Sequence, residues 1–128
     1  MHIQRKERIL ALDPGSRQTG VAFFDPKVGF AIPLDTLQHS SSEECIRFIL
    51  QILQERPVER LLVGMPYLPD GSKGEQARKT EQFIQMLQNT LSIPIEAFDE
   101  RYSSFSTQSD PHAGAACALL SCWLEKEY

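Results

Sequence analysis

Three acidic residues stand where strand-like runs end. Asp13 follows Ile9-Leu10-Ala11-Leu12 and leads into Pro14-Gly15, while Asp99 and Glu100 follow the run Ile93–Phe98 and precede Arg101. A carboxylate at the mouth of a buried strand is costly to desolvate unless a cation, a ligand or a hydrogen bond compensates it. By itself Asp13 fits three roles: an Asx residue capping its own turn, a clasp for a phosphate-bearing ligand, or a ligand to a bound cation. Two such acids brought together suit one or two hard divalent cations, Mg²⁺ or Mn²⁺, about 4 Å apart if there are two. In phosphodiester hydrolysis one cation activates water and the other stabilises the leaving oxygen. Asp99 and Glu100 are adjacent on an extended chain and point to opposite sides. Only one of them is expected to face the metal, and a turn acid with a local salt bridge to Arg101 is the other reading of the pair.

The elements that must position these acids are legible in the hydrophobic periodicity. Ile9–Leu12 has no polar residue at alternate positions, which suits a strand buried on both faces. Gly20 opens a second apolar run, Val21–Phe24, so the two form a hairpin with Asp13 at its root. Asp25-Pro26 and Gly29 are turn signals before a third strand, Phe30–Gln38. Ser40/Glu43 and Ser41/Glu44 both fit a capping box, and Ile46, Ile49, Leu50 and Leu53 form the single stripe of the helix that follows. Leu61–Met65 is a short buried strand, and a loop from Pro66 to Gly74 leads into a helix over about Glu75–Leu91 with Thr80, Phe83, Ile84, Leu87 and Leu91 on one face. A fifth strand, Ile93–Phe98, precedes a Ser/Thr-rich stretch, Tyr102–Asp110, expected to form a mobile loop. The last helix, about Pro111–Glu125, carries Ala113, Ala116, Cys117, Leu120 and Leu124 on one face.

Three strands in a meander followed by right-handed crossovers give an α/β domain: a mixed five-stranded sheet in the order 3-2-1-4-5 with helices on both faces. This is the ribonuclease H-like architecture. It makes the first, fourth and fifth strands neighbours, so Asp13, Gly64-Met65-Pro66 and Asp99-Glu100-Arg101 come to the strand ends where ligands bind in such sheets.

Composition sets limits without choosing a function. With 128 residues, the chain fits one domain, 1–128. Its apolar fraction of 41% and charged fraction of 23% are those of an ordinary globular protein. No apolar run reaches the roughly 18 residues of a membrane span, and the polar, basic start Met1–Arg8 does not read as a signal peptide. Cys45, Cys117 and Cys122 suit reduced residues of a cytoplasmic protein, and no pair has zinc-site spacing. A net charge of −4 argues against indiscriminate nucleic-acid binding but not against a nuclease whose cations supply the local positive potential. The basic groups Arg5, Lys6 and Arg8, and Lys73, Arg78 and Lys79, permit nucleic-acid contact, but solvated faces are the more common explanation for such runs.

The segment Leu12-Asp13-Pro14-Gly15-Ser16-Arg17-Gln18-Thr19-Gly20 is similar to the first motif of the RuvC Holliday-junction resolvases and of the related YqgF (RuvX) family. Val63-Gly64-Met65-Pro66 with Asp70-Gly71-Ser72-Lys73-Gly74-Glu75-Gln76-Ala77 resembles the YqgF signature. Asp99-Glu100-Arg101 matches that family's Asp-Glu-Arg motif, and Ala115–Leu120 resembles its C-terminal Ala-Ala helix. The likeness covers almost the whole chain. Actin-like ATPases use a similar Asp-x-Gly turn but need two such domains around their nucleotide. YqgF proteins are implicated as cytoplasmic nucleases that mature the 5′ end of pre-16S rRNA, and were earlier proposed as Holliday-junction resolvases. The resemblance implies that Asp13 and Glu100 are metal ligands. It also places the loop Asp70–Glu75 beside the site, with Lys73 available to a phosphate. Arg17 and Arg101 are candidates for backbone phosphates of the substrate or for surface ion pairs.

The chain departs from the family at one position that bears on activity. The third acid expected three residues before the paired alanines is replaced by His112, and the segment after Asp-Glu-Arg is shorter than usual. Neutral imidazole at His112 is a competent metal ligand that favours Mn²⁺ over Mg²⁺. Asp110 is the other candidate to complete the site, although Asp110-Pro111 also reads as an N-cap followed by proline at the first helical position. The expectation is a divalent-metal-dependent nuclease acting on structured RNA of a ribosomal precursor, with no membrane association, as a monomer or weak dimer. The alternatives are a resolvase of branched DNA and a nucleic-acid-binding or ribosome-assembly module whose site has lost its activity.

Overall fold

Alternate residues of the first strand pack into different layers, and this organises the molecule. The computed structural model describes residues 7–100 and 111–127. β1 (Ile9–Asp13) sends Leu10 and Leu12 into one apolar cluster and Ile9 and Ala11 into a second on the opposite face, and all four are fully buried. β2 (Gln18–Phe24) and β3 (Ala31–Gln38) complete an antiparallel meander, while β4 (Arg60–Met65) and β5 (Ile95–Asp99) add parallel to β1. The sheet order is β3-β2-β1-β4-β5, as the element order requires. The β2–β3 register shifts between Thr19 and Val21, where β3 carries one extra residue opposite Gly20, the residue that pairs with Asp13.

α1 (Ser42–Glu55) and α2 (Glu75–Thr90) cover one face through Cys45, Ile46, Ile49, Phe83 and Leu87. α3 (Pro111–Glu127) covers the other through Ala116, Leu119, Leu120, Trp123 and Leu124. Burying each large apolar side chain contributes about 1.5–3 kcal/mol, so each layer can hold its helices in place. Of the two possible capping serines, Ser41 is the N-cap: its hydroxyl accepts from Glu44 N (3.1 Å), and the Glu44 carboxylate turns back onto Ser40 N (2.8 Å).

Element boundaries differ slightly from expectation. Phe30 lies outside β3 and is 65% exposed. β5 begins at Ile95 rather than Ile93, since Pro94 has no N–H to give the ladder and contributes only its carbonyl, to Leu61 N at 2.9 Å. On α3 the inward face includes Leu119 and Trp123, which the expected stripe omitted. The Trp123 indole N–H donates to Glu96 Oε2 (2.7 Å), and Arg60 bridges Glu96 and Glu7 at that same end of β4. Among the described residues no helix is long and apolar enough to cross a membrane. The stretch expected to be a mobile loop, Tyr102–Asp110, lies outside the described residues.

Candidate active site

Asp13 is the last residue of β1 and pairs across the hairpin with Gly20. The chain then turns sharply through Pro14-Gly15, and a Cβ at Gly15 would run into the carbonyl oxygen of Gln18, so only glycine closes the turn this tightly. Glu100 follows β5 directly, two residues after Phe98, whose side chain lies on the same face of the sheet as Ile9 and Ala11. Of the adjacent acids it is therefore Glu100 whose carboxyl hydrogen-bonds Asp13. Burial, this hydrogen bond, and the charges of Asp13 and Asp99 together push the Glu100 carboxyl up to about 9. Its oxygen and side-chain carbons lie over the bare Cα of Gly64, on the strand between β1 and β5.

Two carboxylates held this close, one of them retaining a proton near neutrality, form an oxygen donor set with an excess of negative charge. A hard divalent cation fits that set and would displace the proton. Among the described residues no group of three His, Cys, Asp or Glu side chains converges as a metal site. His112 belongs to the first turn of α3. Its side chain, Asp110 and Arg101 lie outside the described residues.

The remaining candidates are placed as follows. Arg17 is exposed in the turn after Asp13, and its carbonyl accepts from His39 N (2.9 Å). Asp70, Gly71 and Ser72 build their own turn: Asp70 accepts from Ser72 N (2.9 Å) and Oγ (2.6 Å), and Gly71 takes a positive φ of 89° that favours glycine. Lys73 is half-exposed and forms an ion pair with Glu81 on α2, so a phosphate would have to compete with that carboxylate.

Sequence reasoning missed two features. A cleft of about 410 Å³ opens between the Pro14–Ser16 turn, the segment His39–Ser42 and α2. Its walls belong to the layer of α1 and α2, whereas Asp13 shares the face of Ile9 and Ala11, so the carboxylates do not line it. In its wall the Thr19 hydroxyl lies 2.9 Å from His39 Nε2 and accepts from the Cys45 thiol (3.5 Å). Burial holds the His39 imidazole below its usual range, with the charge of Glu44 opposing. The second feature is the role of Gly64: the sequence marks it at a strand end within the Val63–Pro66 motif, but its place under Glu100 depends on the register of three strands.

Comparison with known proteins bears on this site. The RuvX family model, described as Holliday junction resolvase, matches residues 7–126. A protein of Chloroflexus aurantiacus named "Putative pre-16S rRNA nuclease" is 41% identical over 100 residues, which cover 78% of this chain and 65% of that protein. The matched stretch thus spans just under two thirds of that relative's length. A Picosynechococcus protein with the same name is 36% identical over 130 aligned positions, covering 91% of this chain and 90% of its own. Among solved structures, Thermus thermophilus RuvC in complex with a Holliday junction substrate superimposes with a TM-score of 0.61 at 13% identity, covering 93% of this chain and 95% of RuvC. That likeness is one of fold, and it bears out the ribonuclease H-like architecture expected from the element order.

Proposed function

The chain belongs to the RuvX family, and from that premise we propose that it is a divalent-metal-dependent nuclease that processes the 5′ end of pre-16S rRNA. The observation that carries the reading is the Asp13–Glu100 carboxylate pair at the ends of β1 and β5. Asp13 and Glu100 would hold the ion, with His112 or Asp110 completing the set. A Mg²⁺ or Mn²⁺ ion there supplies the charge that activates water and stabilises the leaving oxygen in phosphodiester hydrolysis. Glu100 would give up its proton to hold such an ion, and Asp13 is fixed in place by the hairpin turn behind it. Arg17, Lys73 and Arg101 are the cations available to backbone phosphates, and such contacts set register rather than sequence preference. The names of the relatives support a ribosomal precursor RNA as substrate, and action in the cytoplasm on structured RNA is part of the same proposal. On this reading residues 1–128 act as one domain, monomeric or weakly dimeric.

The family description and the fold of RuvC favour a second substrate, branched DNA. A cleavage assay on a 5′-extended 16S precursor and on a four-way DNA junction, each with Mg²⁺ and with Mn²⁺, separates the two. Cleavage of the RNA, lost roughly 100-fold or more in Asp13→Asn and Glu100→Gln, is the expected result. Activity that survives both substitutions overturns the site, and binding without cleavage of either substrate leaves the chain an assembly module.

A further inference from the structure

We infer that Gly64 is a positioning residue for the carboxylate pair: its missing side chain is the gap through which Glu100 reaches Asp13. The inference rests on reading Asp13 and Glu100 as the working pair. β1 and β5 are not neighbours, because β4 lies between them. At about 4.8 Å per strand the two carboxylates start roughly 10 Å apart, and one of them has to cross β4 to make contact. The register places Gly64 at the crossing. Leu12 pairs with Val63, which brings Asp13 level with Gly64, and Gly64 pairs with Phe98, two residues before Glu100. Ile9, Ala11, Leu62 and Phe98 all pack into the layer beneath α3, so the alternation of side chains puts residues 13 and 64 on that same face.

A side chain at position 64 would therefore stand in the path. An ideal Cβ built there lies 2.6 Å from Glu100 Oε1, 3.0 Å from its Cγ and 3.2 Å from its Cδ, and these are the three nearest atoms. The backbone gives no competing reason for glycine. Among the described glycines only Gly29 and Gly71 take a positive φ, and Gly64 sits in regular strand geometry. All three of these nearest atoms belong to Glu100, whose carboxylate is the movable end of a flexible side chain. A methyl group at position 64 is thus cheap for the fold and costly for the site. The choice of residue types follows: a short acid beside the crossing, no side chain at it, and the longer acid arriving from beyond.

The test is Gly64→Ala, compared with wild type by crystal structures without metal, by Mn²⁺ titration calorimetry and by thermal unfolding. The expected result is a Tm that does not fall, a Glu100 carboxylate no longer in contact with Asp13, and Mn²⁺ affinity weakened about 10- to 100-fold. A metal-free Gly64→Ala structure that keeps the contact overturns the inference, as does a lowered Tm with the contact kept, which would make Gly64 a packing residue. Asp13→Asn and Glu100→Gln run alongside. Mn²⁺ binding by the wild type that needs neither acid defeats the metal reading, and the metal-free structures still decide the role of Gly64.

Discussion

Glu100 reaches across β4 and holds the proton that joins its carboxyl to Asp13, although the two residues leave the sheet on strands that are not neighbours. This raised acid sets a direction for the pH dependence of the metal-free protein. An unfolded chain releases the Glu100 proton near pH 4.3, whereas the folded chain keeps it until about 9. Between those values the folded state binds more protons, so its stability falls as pH rises. Glu100→Gln removes the penalty. The substitution is expected to flatten the decline between about pH 4 and 9 and to raise stability at pH 8 by roughly 1 kcal/mol, a value reduced for the solvent that still reaches the group. Urea titrations of both proteins across this range, with metal chelated, measure it. A Glu100→Gln protein less stable than wild type at pH 8 contradicts the account.

Shortening the acid probes the same crossing from the other side. Glu100→Asp keeps the charge but removes one methylene of reach, so contact with Asp13 should fail and Mn²⁺ affinity should drop about tenfold or more. Once contact is lost, filling the gap has little left to disturb. The double variant Gly64→Ala/Glu100→Asp should bind Mn²⁺ about as weakly as Glu100→Asp alone, a non-additive cycle. Two losses that simply add would mean that residues 64 and 100 act independently.

How much of this was legible in the sequence depended on whether the signal was local. β1 announced itself because Ile9–Leu12 is apolar on both faces, and the strand order followed from the meander and crossovers, so the meeting of strand ends at Asp13 and Glu100 could be anticipated. Periodicity alone left open which of Asp99 and Glu100 turns inward, and it was the resemblance to the YqgF Asp-Glu-Arg motif that named Glu100, the acid that meets Asp13. α3 defeated the search for a stripe: it is apolar nearly all round, so periodicity did not single out Leu119 and Trp123 as inward residues. The Lys73–Glu81 pair spans eight residues from a loop into a helix, outside the i,i+4 spacing a helix reading inspects. Gly64 needed the register of three strands at once.

The entry to α1 supports the wall of the cleft and gives a purely structural prediction. Ser41 accepts from Glu44 N and satisfies one of the helix's otherwise unpaired amides. Ser41→Ala should cost about 1 kcal/mol in chemical denaturation, while Ser42→Ala, one residue inside the helix, should cost much less. The Glu44 carboxyl is held below its usual range chiefly by the Ser40 amide and hydroxyl. Its contribution is present above the unfolded pKa and is lost as pH falls through the folded value. Equal losses for Ser41→Ala and Ser42→Ala would remove Ser41 from the capping role.

Lys73 offers a test of substrate contact that does not touch the carboxylates. Its ammonium is paired with Glu81, and both side chains are about half exposed, so the pair is worth little to the fold. If Lys73 meets a backbone phosphate, that phosphate competes with Glu81 for the same ammonium. Glu81→Gln then releases the lysine and should tighten RNA binding about two- to five-fold at low salt, the scale of one surface ion pair. Lys73→Ala should weaken binding by a similar factor and lower the slope of log K against log salt by about one, with no change in sequence preference. Binding isotherms over a salt series for the three proteins make the comparison. If Glu81→Gln and Lys73→Ala move affinity in the same direction, the lysine serves the loop and not the substrate.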